Sequence, residues 1–220
     1  MIKATFGDRL DAWVRRLLPF LFVRRLDPNA LTVTGSLVSI VAAVALARGA
    51  FTVGGILILA GGLFDLVDGV VARHQGRSSS FGAFLDSTLD RLVDMALLVG
   101  VLLFYARSGD TTTAVVAAVV LVASVLTSYA KARAETRIEV LEGGLLERGE
   151  RIVLLAAGAI LGWMQPVLWL LAAGTLVTVA QRFAVAYREL ESLDARQADE
   201  GAAHARAAEP RQQLREGGSA

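Results

Sequence analysis

The chain has 220 residues, 55% of them apolar and 20% charged, with a mean hydropathy of +0.55 and a net charge of +1. It is too apolar for an ordinary water-soluble domain, has room for a single domain, and carries no basic excess that would call for a nucleic-acid partner. Cysteine is absent and histidine occurs only at His74 and His204, so disulfides, thiolate metal sites and histidine-rich sites are excluded and any metal must be held mostly by oxygen.

Near the N-terminus, Phe6, Leu10, Trp13, Val14, Leu17 and Leu18 recur at intervals of three and four among Arg9, Arg15, Arg16, Arg24 and Arg25. This spacing predicts an amphipathic helix over residues 1–26, lying in the membrane interface with its arginines towards anionic headgroups. The plainer reading is a basic leader that fixes topology. The layout is not that of a cleaved signal. In "LDPNALT", Pro28 stops this element and Asn29 can cap the next.

Six apolar runs follow, at about 31–47, 53–72, 92–106, 113–130, 152–163 and 167–180. With their flanks, several reach the roughly 20 residues that cross a bilayer; the fifth is the shortest. They predict an all-α integral membrane domain over 27–190 with six transmembrane helices. Of the 22 Lys and Arg, only Arg48 and Arg107 fall in breaks on the second side. The positive-inside rule then places both termini and the 73–80 and 131–151 breaks in the cytoplasm. Residues 191–220 are polar and Ala-rich and predict a disordered cytoplasmic tail.

Between the second and third runs stands "LFDLVDGVVARHQGRSSSFGAFLDSTLDR". Asp65 and Asp68 share one helix face, as do Asp86 and Asp90. Counted from the connection, all four carboxylates lie about 7–13 Å from the cytoplasmic ends of adjacent antiparallel helices, Asp68 level with Asp86 and Asp65 with Asp90. Each costs about 2.5–3.5 kcal/mol to insert, so compensation is needed. Arg73 and Arg91 are the cations near in sequence and leave negative charge in surplus. A hard divalent cation suits that surplus better, because Mg²⁺ takes oxygen ligands and shares them with substrate phosphates. Gly61, Gly62, Gly69, Gly82 and Ala83 leave room for close backbones or a ligand. The competing reading of membrane aspartates is a proton or ion path, as in a small ion-coupled transporter.

Asp65-x2-Asp68-Gly69-x2-Ala72-Arg73-x8-Gly82-x3-Asp86-x3-Asp90 resembles the signature of the CDP-alcohol phosphotransferases. The resemblance covers about residues 25–187. It implies six transmembrane helices, a homodimer, and exchange of CMP on CDP-diacylglycerol for an alcohol. It further implies that Asp65, Asp68, Asp86 and Asp90 ligate two Mg²⁺, with Mn²⁺ as a substitute, and that Asp90 is also the general base. Gly69, Arg73 and Ser79, with the stretch Asn29, Ala30, Leu31 and Thr32, match positions that contact the CDP-lipid. Asp is common in the family where this chain has Asn29.

"SYAKARAE", "GGLLERGER", "VAQRF" and "LDSTLDR" resemble the branch of the family that makes phosphatidylinositol phosphate. That resemblance implies an acceptor pocket of Ser128, Lys131, Arg133, Arg151 and Arg182 for the phosphate of 1D-myo-inositol 3-phosphate (L-myo-inositol 1-phosphate). Gly149 departs from the Pro often found there. The nearest alternative is the same reaction with glycerol 3-phosphate, and positive-inside topology alone would also account for such cations.

Overall fold

In the computed structural model the described residues are 27–74, 79–141 and 143–216, with the side chains at 69, 72–74 and 199–216 outside the description. The expected interfacial helix over 1–26 lies outside them. The described residues form six helices: α1 (Pro28–Ala47), α2 (Phe51–His74), α3 (Ser80–Arg107), α4 (Thr111–Ala134), α5 (Arg148–Leu161) and α6 (Met164–Glu216).

Helix starts follow local chemistry. Asp27 caps α1, its Oδ1 accepting from the Asn29 N–H at 3.0 Å, and Pro28 occupies the first turn. Asn29 is therefore inside the helix and not its cap, because Pro28 has no N–H to lose and its fixed φ is already helical. Ser79 caps α3 by accepting from the Gly82 N–H at 2.9 Å. Asp110 caps α4, accepting from the Thr113 N–H at 3.0 Å and hydroxyl at 2.6 Å, and from Gln165 of α6 at 2.8 Å. Gly162, at φ +72°, ends α5 in the left-handed conformation that glycine tolerates best.

α1 packs on α2 and α3, α2 on α5, α3 on α4, and α6 on α4 and α5. Their common core includes Leu46, Ile58, Leu97, Val120, Leu168 and Leu171. Small residues set the closest approaches. A Cβ at Gly35 of α1 would come within 2.7 Å of Phe64 Cβ on α2, and one at Gly100 of α3 would run into the Ala43 carbonyl of α1. Such contacts replace the hydrophobic drive that is missing between helices in lipid.

The outer surface is apolar, with Leu37, Val41, Ile56, Trp169 and Leu176 all exposed. Among the described residues four segments are long and apolar enough to cross a bilayer: Pro28–Ala47, Phe51–Asp68, Thr111–Ala134 and Met164–Ala198. α3 has the length but carries Asp86, Asp90, Arg91 and Asp94; α5 has 14 residues. α6 stays helical to Glu216, where composition alone predicts an irregular tail. Ala, Glu, Gln and Arg, which dominate that stretch, are strong helix formers.

Candidate active site

α2 and α3 carry their acids to one place near the connection between them. One carboxylate oxygen each from Asp65, Asp68 and Asp86 lies within 4.8 Å of the other two. Asp68 is buried, and Asp65 and Asp86 are half-buried. Three oxygens so close in a poorly hydrated site suit a hard divalent cation. Asp90, one turn deeper on α3, is not in that group. Its Oδ1 pairs with Nη2 of Arg148 at 2.9 Å.

Arg148, at the start of α5, also meets Asp65 through Nη1 at 3.1 Å and Asp94 through Nε at 3.2 Å. Asp94 takes a further contact from Arg151 Nη2 at 3.1 Å. The depth match of Asp65 with Asp90 thus appears as two carboxylates bridged by one guanidinium. Arg148 and Asp94 are functional candidates that sequence reasoning passes over. Asp94 is signalled by its place one turn after Asp90 on the same helix face. Arg148 lies 83 positions from Asp65, and no spacing rule reaches it. Among the described residues Arg148 pairs with Asp65, Asp90 and Asp94 and Arg151 with Asp94, while the convergence of Asp65, Asp68 and Asp86 suits a cation beside them.

The segment before α5 is tied to α6, which fixes both arginines. The Leu145 N–H donates to Gln181 Oε1 and the Leu146 N–H to Thr178 Oγ1, both at 3.0 Å. Gly143 and Gly144 turn the chain at φ +108° and +137°, and a Cβ at Gly144 would lie 2.8 Å from Thr178 Cγ2. Arg182 donates through Nε to the Gly143 carbonyl at 3.3 Å and through Nη1 to the Thr127 carbonyl at 2.5 Å.

Two cavities meet at this network. One, about 310 Å³, is polar and is lined by Ser128, Lys131, Arg151 and Arg182 together with Asp86 and Asp90. Arg133, expected with them, is exposed on the far side of its helix turn and does not line it. Lys131 is 3.8 Å from Glu135. The other cavity, about 430 Å³, is mostly apolar, runs between α1, α2, α3 and α5 past Thr32, Ile58 and Leu63, and reaches Asp65. Asp90 and Arg148 line both.

Of the stretch from Asn29, only Thr32 lines the apolar cavity. Leu31 packs on Val67, Val70 and Val71, and Ala30 is exposed. Asn29 stands beside Ser79, since a Cβ at Gly82 would lie 3.2 Å from Asn29 Oδ1 and 3.0 Å from Ser79 Oγ. The side chains at Gly69 and Arg73 are outside the described residues. Gly61 serves helix contact, its added Cβ colliding with the Ser39 hydroxyl, while Gly62 faces open space in the apolar cavity.

A carboxylate triad between two helices, a lipid-like cavity and a basic cavity together define a membrane enzyme of phosphoryl transfer, and residues 25–186 match the model of the CDP-alcohol phosphatidyltransferase family. The chain belongs to that family. Among its relatives, the phosphatidylinositol phosphate synthase of Streptomyces avermitilis is 39% identical over 219 residues, covering 91% of this chain and 90% of that one. The phosphatidylinositol phosphate synthase of Mycobacterium tuberculosis, solved with CDP-DAG bound, superposes with a TM-score of 0.71 at 30% identity, covering 81% of this chain and 94% of that one. The same protein in complex with manganese and citrate gives 0.72 at 30% identity, covering 80% and 88%.

Proposed function

We propose that the chain moves the phosphatidyl group of CDP-diacylglycerol onto the hydroxyl of 1D-myo-inositol 3-phosphate, giving phosphatidylinositol phosphate and CMP. The observation that carries this reading is the polar cavity, where Ser128, Lys131, Arg151 and Arg182 stand beside Asp86 and Asp90. A phosphorylated acceptor brings up to about two negative charges, and several basic donors around one cavity are what binding it requires. The similarity to synthases from two bacteria supports the same substrates.

Asp65, Asp68 and Asp86 would hold the divalent metal, read as two Mg²⁺ with Mn²⁺ able to substitute; the manganese complex of the M. tuberculosis relative supports a divalent ion. Bound metal would neutralise charge developing on the pyrophosphate as CMP leaves. Asp90, reached from both cavities, would take the proton from the attacking hydroxyl. Asn29 and Ser79, with Gly69 and Arg73, would hold the CDP, and the apolar cavity beyond Thr32 would receive the lipid part.

We further read all six helices as spanning, with both termini and the active site cytoplasmic and the protein a homodimer. The bias that leaves Arg48 and Arg107 alone on the second side supports this topology. At about 1.5 Å per residue α5 is short for a bilayer. Exposed Trp163, just past its end, suits an interfacial anchor.

The test is CMP release by purified protein in detergent with Mg²⁺ and CDP-diacylglycerol, each alcohol supplied in turn. Release is expected with inositol phosphate. Release with glycerol 3-phosphate alone would reassign the acceptor, and no release with any alcohol would remove the transferase reading.

A further inference from the structure

Gly174, Thr178 and Arg182 follow one another at intervals of four along α6, so they share one face of that helix. Each meets the connection that leads into α5, and each meets it differently. Gly174 is a notch: a Cβ there would lie 2.2 Å from Leu146 Cδ1, so the leucine side chain seats directly against the α6 backbone. Thr178 is fully enclosed, at 0% exposure, and its hydroxyl accepts from the Leu146 N–H at 3.0 Å while donating to the Gly174 carbonyl at 2.8 Å. Arg182, one turn further on, donates through Nε to the Gly143 carbonyl at 3.3 Å.

A threonine inside a helix commonly donates to the carbonyl four residues back, and that bond alone would satisfy it. The Leu146 N–H asks for more, because it lies just outside α5, whose own turns cannot accept from it. A valine would fill the same space as Thr178 and leave that donor buried without an acceptor. Leu146 in turn offers its carbonyl to Arg151 Nη1 at 3.1 Å. Two cations of the polar cavity, Arg151 from α5 and Arg182 from α6, are thus both referred to the same four residues of backbone, and Thr178 ties that backbone to α6.

We propose that Thr178 is a positioning residue for the acceptor: by fixing Leu146 on α6 it sets the spacing of Arg151 from Arg182, and with it the grip on the acceptor's phosphate. Gly174 assists by admitting the Leu146 side chain. The proposal rests on the reading of the polar cavity as the acceptor site, yet it assigns acceptor affinity to a hydroxyl that lines neither that cavity nor the apolar one.

The test is steady-state kinetics of the full chain in detergent with Mg²⁺, CDP-diacylglycerol and inositol phosphate. Thr178→Val keeps the shape and removes the hydroxyl, and should raise the inositol phosphate KM roughly tenfold, the weight of one buried hydrogen bond. The kcat and the CDP-diacylglycerol KM should change little. Thr178→Ser restores the hydroxyl and should return the acceptor KM to near the wild-type value. Placed on an Arg151→Ala background, Thr178→Val should add little more, since residues that act through one another are not additive. Gly174→Ala, which displaces Leu146 from its notch, should raise the same KM, and it decides the matter if Thr178→Val does not fold. An unchanged acceptor KM would overturn the proposal. So would an equal rise in both KM values, no rescue by serine, or a full effect in the absence of the Arg151 guanidinium, since each of these marks a role in stability alone. With active wild-type protein these outcomes strike only the role of Thr178. Absence of wild-type CMP release with inositol phosphate would instead strike the functional reading.

Discussion

Asp68 is the most enclosed of the three converging carboxylates, at 6% exposure, so its loss cannot be made good by water. Asp68→Asn is expected to weaken Mn²⁺ binding and lower kcat by roughly a hundredfold or more, read by EPR titration and CMP release. The cations should separate by position. Arg151→Ala or Arg182→Ala removes a charge-assisted contact of about 1.5–3 kcal/mol and should raise the acceptor KM by roughly ten- to a hundredfold. Arg133→Ala, outside the cavity, should leave that KM unchanged in the same assay. Asp65, Asp68, Asp86 and Asp90 are legible from sequence because a buried acid in an apolar helix is costly enough to demand a reason. Arg148 is not, because a contact between α2 and α5 leaves no period in the chain. The placement of Arg133 is harder to read for a related reason: sequence gives the neighbourhood of a cation but not the side of the helix on which it emerges.

Among the elements, the short connection before α5 does most to place basic groups. Gly144→Ala would force a side chain onto a backbone at φ +137° and into Thr178, at a cost of about 1–3 kcal/mol. The Arg182 and Leu146 contacts would loosen, so the acceptor KM should rise more than the CDP-diacylglycerol KM, with a lower Tm. The cap of α4 makes a different forecast. The Thr113 hydroxyl, and then its N–H, hold the half-buried Asp110 carboxyl below its ordinary value of 3.8. A carboxyl lowered by folding stabilises the fold above that value and ceases to as pH falls through its depressed one. The Tm difference between wild type and Asp110→Ala should therefore shrink on acidification below about pH 3.8, as followed by thermal scans. The helix runs themselves are readable from hydropathy. Their caps are less so, because Asp27 and Asn29 are both good capping residues and only the fit of Pro28 decides between them.

For the whole molecule, the absence of cysteine makes topology directly measurable. Single Ser79→Cys and Ser108→Cys variants should react with impermeant maleimide from opposite faces of sealed vesicles, Ser108→Cys from the outside of intact cells. Labelling of both from one face would undo the six-span reading. The order of the helices can be inferred from sequence, but the two cavities cannot, since each is assembled from three or more helices whose mutual depth depends on contacts such as Gly35 with Phe64 and Gly100 with Ala43. Those cavities have a kinetic corollary. One approaches Asp90 from among apolar helices and the other from among cations, so a lipid donor and a water-borne acceptor need not take turns in a single entrance. Initial-rate plots against the two substrates should then intersect rather than run parallel, the mark of a ternary complex in which the phosphatidyl group passes straight from one molecule to the other without resting on the protein.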